Sequence, residues 1–286
     1  MKTLIKMRAL TLLLLSVLSA GLVIGCKKES KKTADEEANK VTTERDYKNL
    51  KTVLDSTYSD WHIIIQEADT DVKIEGYDEF DKKVLVSISK EGEVLFDKEE
   101  FTKTSLYSSL DNHFQLSDAY LEQITNTTVY ISLGAFIPET DEGLYFMLAF
   151  SKDGHFKKYL HPLAMDDSDF IVDFYIMYTH ENLQNPVDKA SLQQIAKAYG
   201  TPNFIEQLEK EGSLSIYPPE VVSRYKLDVQ IESESTEEYN DTYHPCKVLF
   251  YPHESDKLIS SMNVELKGRK GEYDGVYYDR IERISR

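Results

Sequence analysis

Cys26 is the residue whose type and surroundings suggest the clearest chemistry in this sequence. It follows the uncharged, largely aliphatic run 9–24, which ends in Val23 and Ile24, and Gly25 directly precedes it. A thiolate is the strongest side-chain nucleophile near neutral pH, and the small Gly25 leaves room for an enzyme to approach. The pattern therefore predicts that the Cys26 sulfur is covalently modified.

The segment before Cys26 has the three-part order of a secretory signal. Lys2, Lys6 and Arg8 precede an apolar run of about 16 residues, whereas a bilayer span needs roughly 20. A basic start, a short apolar middle and small residues at the end favour an export signal over a mature transmembrane helix. A plain signal peptide or an N-terminal membrane anchor is the alternative interpretation.

Val23-Ile24-Gly25-Cys26 resembles a lipobox, the processing site of bacterial lipoproteins. The resemblance implies that residues 1–25 are removed and that Cys26, as the new N-terminus, carries acyl chains. Stable attachment to a bilayer takes two or more such chains, a need that a multiply acylated cysteine meets. The implied partner is the lipid bilayer, and the implied location is the cell envelope.

Residues 26–48 are expected to be the lipidated cysteine and a disordered tether. The segment is rich in Lys, Glu, Asp and Thr and holds few large apolar side chains, so it cannot bury enough surface to fold. Lys27, Lys28 and Glu29 resemble sorting signals of lipoproteins displayed on gram-negative cells. They indicate the outer membrane, with the periplasmic and the outer face both left open.

Charge and cysteine content restrict the remaining function classes. Removal of residues 1–25, with three positive and no negative charges, takes the formal net charge from −17 to −20. Such an acidic body is repelled by nucleic acid, so nucleic-acid binding is disfavoured. With Cys26 acylated, Cys246 is the one remaining thiol, which excludes a disulfide within the chain.

Alternating apolar residues and turn signals predict a β-rich domain over 49–182. Val84, Val86 and Ile88 lie at a period of two, and Glu91-Gly92 and Asp153-Gly154 are typical hairpin turns. Short connections favour mostly antiparallel sheets, so the predicted class is α+β with a few short helices. Strands are expected at 61–67, 71–77, 83–90, 94–96, 128–137, 143–151, 155–160 and 170–179, and helices near 50–54, within 102–114 and at 117–124.

Residues 183–286 are expected to form a helix pair followed by a four-stranded antiparallel sheet. Helices are predicted at 187–199 and 202–210, the second with Thr201 as its cap and Gly212 as its stop. Strands are predicted at 223–232, 246–251, 258–267 and 275–284, with a hairpin turn at 267–271 and a polar loop at 232–241. Composition leaves open whether this half is a second domain or a layer on the first.

Acidic clusters are the candidate metal sites, because calcium takes several carboxylate and carbonyl oxygens. Neither has the glycine and terminal Glu of a dedicated calcium loop, so solvated acidic turns are the favoured interpretation, and no cofactor is predicted. The first cluster is Asp166, Asp167 and Asp169, and the second is Asp69, Asp71, Glu75 and Asp78.

Catalytic signatures are weak in this sequence. His244 and Cys246 would share one face of a strand, which is the arrangement of a thiol–imidazole pair, although a buried thiol beside a surface histidine is the simpler interpretation. Most aromatic side chains on strands are expected in the core rather than free for stacking on sugars. The candidates considered for stacking are Trp61, Tyr77, Tyr107, Tyr145, Tyr277 and Tyr278.

Residues 49–182 also resemble uncharacterised lipoprotein domains of unknown function from gram-negative anaerobes. The similarity lies in 83–92, Phe101-Thr102-Lys103, Pro138-Glu139-Thr140-Asp141 and Ser151-Lys152-Asp153-Gly154. It implies a β-rich, surface-attached and non-catalytic body. We therefore expect a lipoprotein that binds an unknown protein or glycan or serves an envelope-structural role, with an extracellular glycan hydrolase using carboxylates as the alternative.

Overall fold

The computed structural model describes residues 46–140, 142–161, 169–225, 230–235, 243–252, 257–270 and 276–286. The signal segment, the lipobox and nearly all of the tether lie outside these ranges. Residues 46–286 form one unit, and its described residues form three antiparallel sheets of four strands and five helices. The β-rich, antiparallel character predicted from the sequence is confirmed.

Sheet 1 and sheet 2 are both simple meanders in which sequential strands pair. Their strands form in this order because tight turns such as Glu91-Gly92, with φ of 52° and 84°, connect alternating apolar segments. Sheet 1 contains β1 (Lys48–Tyr58), β2 (Trp61–Lys73), β3 (Phe80–Lys90) and β4 (Glu93–Thr102). Sheet 2 contains β5 (Gln115–Ile124), β6 (Thr128–Phe136), β7 (Gly143–Ser151) and β8 (Phe156–His161).

Sheet 3 is the predicted four-stranded sheet of the C-terminal half, with the strand order β12-β11-β10-β9. Its strands are β9 (Gln230–Ser235), β10 (Tyr243–Tyr251), β11 (Ser260–Lys270) and β12 (Val276–Ser285). The helices are α1 (Lys103–Leu106), α2 (Asp169–Asn182), α3 (Lys189–Tyr199), α4 (Pro202–Glu211) and α5 (Pro219–Tyr225). The predicted caps of α4 are confirmed, with Thr201 accepting a hydrogen bond from the amide of Phe204 and Gly212 ending the helix.

Two hydrophobic cores lie on the opposite faces of sheet 2. Sheet 1 covers one face, where Trp61, Ile63, Val86, Ile131 and Phe150 are fully buried. The other face, with Tyr130, Met147 and Ala149, packs against the helices and sheet 3. This second core draws residues from both 49–182 and 183–286, so the helices and sheet 3 form layers against sheet 2.

Two helices predicted in the first half are β-strands, and β-bulges explain both errors. The helix predicted near Leu50, Val53 and Leu54 is the edge strand β1, and the helix predicted at 117–124 is β5. Both strands contain register shifts, and each extra residue breaks the period of two on which a strand is recognised. Within 102–114, the described helix is the single turn α1.

The aromatic strand predicted at 170–179 is wrong as well, because these residues lie in helix α2. Ile171, Val172 and every residue from Phe174 to Glu181 are buried, since α2 lies between sheet 2 and sheet 3. A helix that is buried on all sides has no exposed polar face to reveal its period, and its β-branched and aromatic residues imitate a strand. The position of α2 between sheet 2 and sheet 3 therefore explains why the sequence predicts a strand there.

Smaller differences concern element ends. Strand β2 continues through 68–70 to Lys73, so the separate strand predicted at 71–77 does not exist. Residues 223–225, predicted to begin a strand, belong to helix α5, and strand β11 continues past 267 to Lys270 where a turn is predicted. Of the predicted loop at 232–241, residues 232–235 belong to β9, and the rest lies outside the described residues.

Candidate functional site

Cys26, the residue predicted to be acylated, and the other lipobox residues Val23, Ile24 and Gly25 lie outside the described residues. So do Asp166 and Asp167 of the first acidic cluster, while Asp169 is the first residue of α2. Among the residues that the structure does describe, no three His, Cys, Asp or Glu side chains converge as metal ligands do. No described helix is both long and apolar enough to cross a membrane.

The second acidic cluster is divided into separate pairs rather than gathered into one site. The Asp69 carboxylate accepts a hydrogen bond of 2.6 Å from Asn49, and Asp71 pairs with Lys48. Asp78 lies 2.7 Å from the Lys73 ammonium, and Glu75 lies 3.7 Å from His113. The lysines lower the pKa of Asp71 and Asp78, so these groups behave as solvated surface pairs.

Cys246 and His244 share the inner face of β10, as predicted, but the imidazole is not the surface group that was expected. Both residues are buried, and the Cys246 sulfur lies 4.0 Å from the main-chain oxygen of His244. The His244 ring packs at 5.0 Å on the ring of Tyr278. In this contact the thiol donates to a carbonyl oxygen.

The predicted stacking aromatics mostly contribute to the interior. Trp61 is buried, donates to the main-chain oxygen of Thr125 at 3.1 Å and carries the Lys90 ammonium over its ring. Tyr278 is buried, whereas Tyr107 is 43% exposed. Tyr77 and Tyr145 are half-buried, and the Tyr277 side chain lies outside the described residues. Tyr145 borders the site described next.

Two carboxylates, Glu122 and Asp173, lie on the helix-facing side of sheet 2, near enough for the charge of Asp173 to act on Glu122. Glu122 lies at a bulge of β5, between Leu121 and Gln123 in the register, and Asp173 lies in the second turn of α2. We define the carboxylate site as these two residues together with Tyr120, Ser132, Tyr145, His161 and Tyr199. The residues come from β5, β6, β7, β8, α2 and α3 and are brought together only by the tertiary fold.

Each carboxylate of the site has its own hydrogen-bond partners. The Tyr199 hydroxyl donates to one oxygen of Glu122 at 2.8 Å, and the Ser132 hydroxyl donates to the other at 3.3 Å. The Nε2 atom of His161 lies 3.3 Å from the Asp173 carboxylate, and His161 is buried. The partners therefore fix both carboxylates and place an imidazole beside one of them.

Burial changes the proton affinities of the groups around Glu122. Burial, and then the charge of Asp173, raises the pKa of the Glu122 carboxyl group. Burial and the charge of Glu122 raise the pKa of Tyr120 to about 12, and the same two causes raise the pKa of Tyr199 further. A carboxyl group that holds its proton more tightly and lies beside a second carboxylate can exchange protons with a ligand.

Aromatic side chains form the open rim of the carboxylate site. Tyr120 is 46% exposed and pairs across β5 and β6 with Ser132, and Tyr145 pairs with Gly134 on the next strands. The Phe136 ring lies 5.0 Å from the Tyr145 ring and occupies the space above Gly134, where a Cβ atom would be 2.2 Å from it. The rim thus offers flat apolar rings next to polar groups.

Sequence reasoning missed both central residues of this site. Glu122 was placed in a helix and Asp173 in a strand, so neither could be assigned to a common face. Fifty acidic residues give no local signal that distinguishes these two. Their proximity depends on the bulge in β5 and on the position of α2, which are properties of the tertiary structure.

Glu181 forms a second buried polar network, at the other end of α2. It has no exposed surface and accepts hydrogen bonds from Thr125 at 2.8 Å, Thr127 at 2.7 Å and Tyr130 at 3.0 Å. The Thr127 hydroxyl also contacts Ser191 of α3 at 2.8 Å. This network has no opening toward a ligand, and it links the β5–β6 turn to two helices.

His180, the residue before Glu181, contacts two hydroxyl groups. Its Nδ1 atom lies 2.8 Å from the Tyr159 hydroxyl, and its Nε2 atom lies 3.3 Å from the Ser151 hydroxyl. Burial, with the nearby Lys157, lowers the pKa of His180 to about 4, so the imidazole is neutral at physiological pH. Ser151 and His180 are both buried, which keeps this serine–histidine contact away from a substrate.

No protein-family model matches the chain, and the comparison with curated proteins gives no match.

Replacing Glu181 by alanine should destabilise the fold, because three buried hydroxyls would lose their acceptor. We expect the free energy of unfolding to fall by ~3 kcal/mol in urea titrations, and by less for Glu181→Gln, which keeps one acceptor oxygen. Glu209→Ala on the exposed face of α4 is the control. Equal stability of Glu181→Ala and the control would show that the network is dispensable.

Glu122→Gln should alter how stability depends on pH. The pKa of Glu122 is higher in the folded state than in the unfolded state, so protonation of Glu122 stabilises the fold. This stabilisation is complete at pH values below the unfolded-state pKa and is lost as the pH rises through the folded-state pKa. Between pH 4 and pH 7, the wild type should therefore lose stability relative to Glu122→Gln, measured by urea unfolding of both. If the difference in unfolding free energy between the wild type and Glu122→Gln did not change with pH, the raised pKa of Glu122 would be contradicted. Glu209→Gln is the control.

Proposed function

We propose that this chain is a bacterial lipoprotein, held on a membrane by acyl chains on Cys26, whose β-rich body binds a partner without catalysing a reaction. The observation that carries the proposal is the position of the lipobox-like Val23-Ile24-Gly25-Cys26 between a secretory signal and the tether. The folded unit begins at Asp46, so about 20 residues separate the modified cysteine from the body. That distance supports a body displayed away from the lipid surface, in the envelope of a gram-negative cell.

Binding through the body is supported by the form of the carboxylate site. Its most accessible parts are Tyr120, which is 46% exposed, and the half-buried Tyr145, and they lie beside the hydrogen-bonded carboxylate of Glu122. A rim of rings beside fixed carboxylates suits recognition of a protein or glycan surface. The partner would meet flat rings first and hydrogen-bond acceptors behind them.

Hydrolysis of an extracellular glycan is the second candidate, favoured by the raised pKa of Glu122 next to Asp173. Such enzymes use one protonated and one ionised carboxyl group on either side of the scissile bond. One cavity of the described residues, beside α4, does not include Glu122 or Asp173.

Cys26→Ala should move the protein from the membrane fraction to the soluble fraction. The variant cannot be acylated, and no described helix offers another span. The measurement is fractionation of cells followed by immunoblotting, with Cys246→Ala as the matched control that keeps the anchor. If Cys26→Ala stays with membranes to the same extent as Cys246→Ala, the anchoring proposal fails.

Incubation of the full chain with end-labelled oligosaccharides tests the second candidate. The binding proposal predicts no shortened products by chromatography above the level of a heat-treated sample. If shortened products form, and their rate of formation falls about 100-fold in Glu122→Gln but not in Glu209→Gln, hydrolysis through the carboxylate site would be established instead.

A further inference from the structure

Lys103, the first residue of α1, and Asp81 of β3 form an ion pair in the interior of the body. The Nζ atom of Lys103 lies 3.4 Å from Oδ2 of Asp81, and the two side chains are only 3% and 4% exposed. By comparison, Lys83 and Glu100 lie 3.3 Å apart on sheet 1, with side chains that are 23% and 24% exposed. Bulk water therefore has almost no access to the Lys103–Asp81 pair.

Main-chain groups hold both partners of this pair in place. The Oδ1 atom of Asp81 accepts hydrogen bonds from the amides of Lys82 at 2.9 Å and Leu116 at 3.0 Å. The Lys103 ammonium donates to the main-chain oxygen of Phe114 at 2.7 Å. These contacts fix the nitrogen next to the carboxyl group, and in well-oriented intramolecular reactions such positioning corresponds to effective molarities of about 10⁵ M or more.

Burial makes the charges of the pair unfavourable compared with a neutral product. Removing an ammonium and a carboxylate from water costs free energy, which their mutual attraction repays only in part. An amide between the same two side chains carries no charge. Because water is also the reactant that would hydrolyse such an amide, its exclusion favours the condensed form.

We propose that Lys103 and Asp81 become joined by an intramolecular isopeptide bond in the folded chain. One proton passes from the ammonium to Oδ2, and the lone pair of Nζ then forms a bond to Cγ of Asp81. The negative charge that develops on Oδ1 is stabilised by the two main-chain amides. A second proton moves from nitrogen to Oδ2, the bond between Cγ and Oδ2 breaks, and one water molecule leaves. Atoms and charge balance without any further reactant.

The bond would close the chain covalently over residues 81–103. It would tie β3 of sheet 1 to the segment that leads through α1 into sheet 2. A cross-link of this kind restricts the unfolded chain, as a disulfide does, and it is not broken by reducing agents. The described cysteine, Cys246, is a free thiol, so the isopeptide would supply a covalent constraint that this thiol does not.

Tryptic peptide mass spectrometry of the full chain tests the isopeptide bond. Trypsin does not cleave after an amidated lysine, so residues 74–82 should be recovered joined to residues 99–152, with a mass one water below the sum of the two peptides. Lys103→Arg keeps the positive charge but has no primary amine, and it should give residues 74–82 and 99–103 as separate peptides. If this variant does not fold, the wild-type digest alone decides.

Lys83 and Glu100 are the matched control within the same digest, because their distance is similar but their side chains are accessible to water. They should remain unlinked. Recovery of residues 99–103 as a separate peptide from most of the wild-type protein would overturn the proposal and leave an ordinary buried ion pair. Linkage of Lys83 to Glu100 to the same extent as Lys103 to Asp81 would also overturn it, because burial would then not be the cause.

Discussion

The buried carboxylate of Glu181 is the interaction on which the layered structure depends most. A carboxyl group with no exposed surface is tolerated only when hydrogen-bond donors surround it, and Thr125, Thr127 and Tyr130 provide three. Two of these donors belong to the β5–β6 turn and the third to β6, while Glu181 belongs to α2. The network therefore fixes one end of α2 on sheet 2.

Helix α2 connects the Glu181 network to sheet 3 and to the carboxylate site. Tyr175 donates to the main-chain oxygen of Ile216 at 2.8 Å and packs against Phe250 of sheet 3, so one side of the helix holds sheet 3. Near its beginning, Asp173 meets His161 of sheet 2. The same helix thus joins the layers and positions one half of the carboxylate site. Changes that move α2 should disturb stability and the site together.

The sequence was informative where a structural signal is local and less so where it depends on distant residues. Strands β3 and β6–β8 were predicted because alternation and Gly-containing turns lie within a few residues of each other. Strands β1 and β5 were missed because bulges break that alternation, and α2 was missed because burial on all sides removes its polar face. The carboxylate site was missed for both reasons, since Glu122 lies at a bulge and Asp173 on α2.

The proposed anchor depends on four consecutive residues, whereas the proposed binding site depends on residues up to about 80 positions apart, such as Glu122 and Tyr199. Anchoring is therefore the central claim and the one most directly tested, by mass spectrometry of the N-terminal peptide from protein purified from its own membranes. The account predicts a peptide that starts at Cys26 and carries the mass of its acyl chains. A peptide that retains Met1, or one that starts at Cys26 without acyl chains, would contradict it.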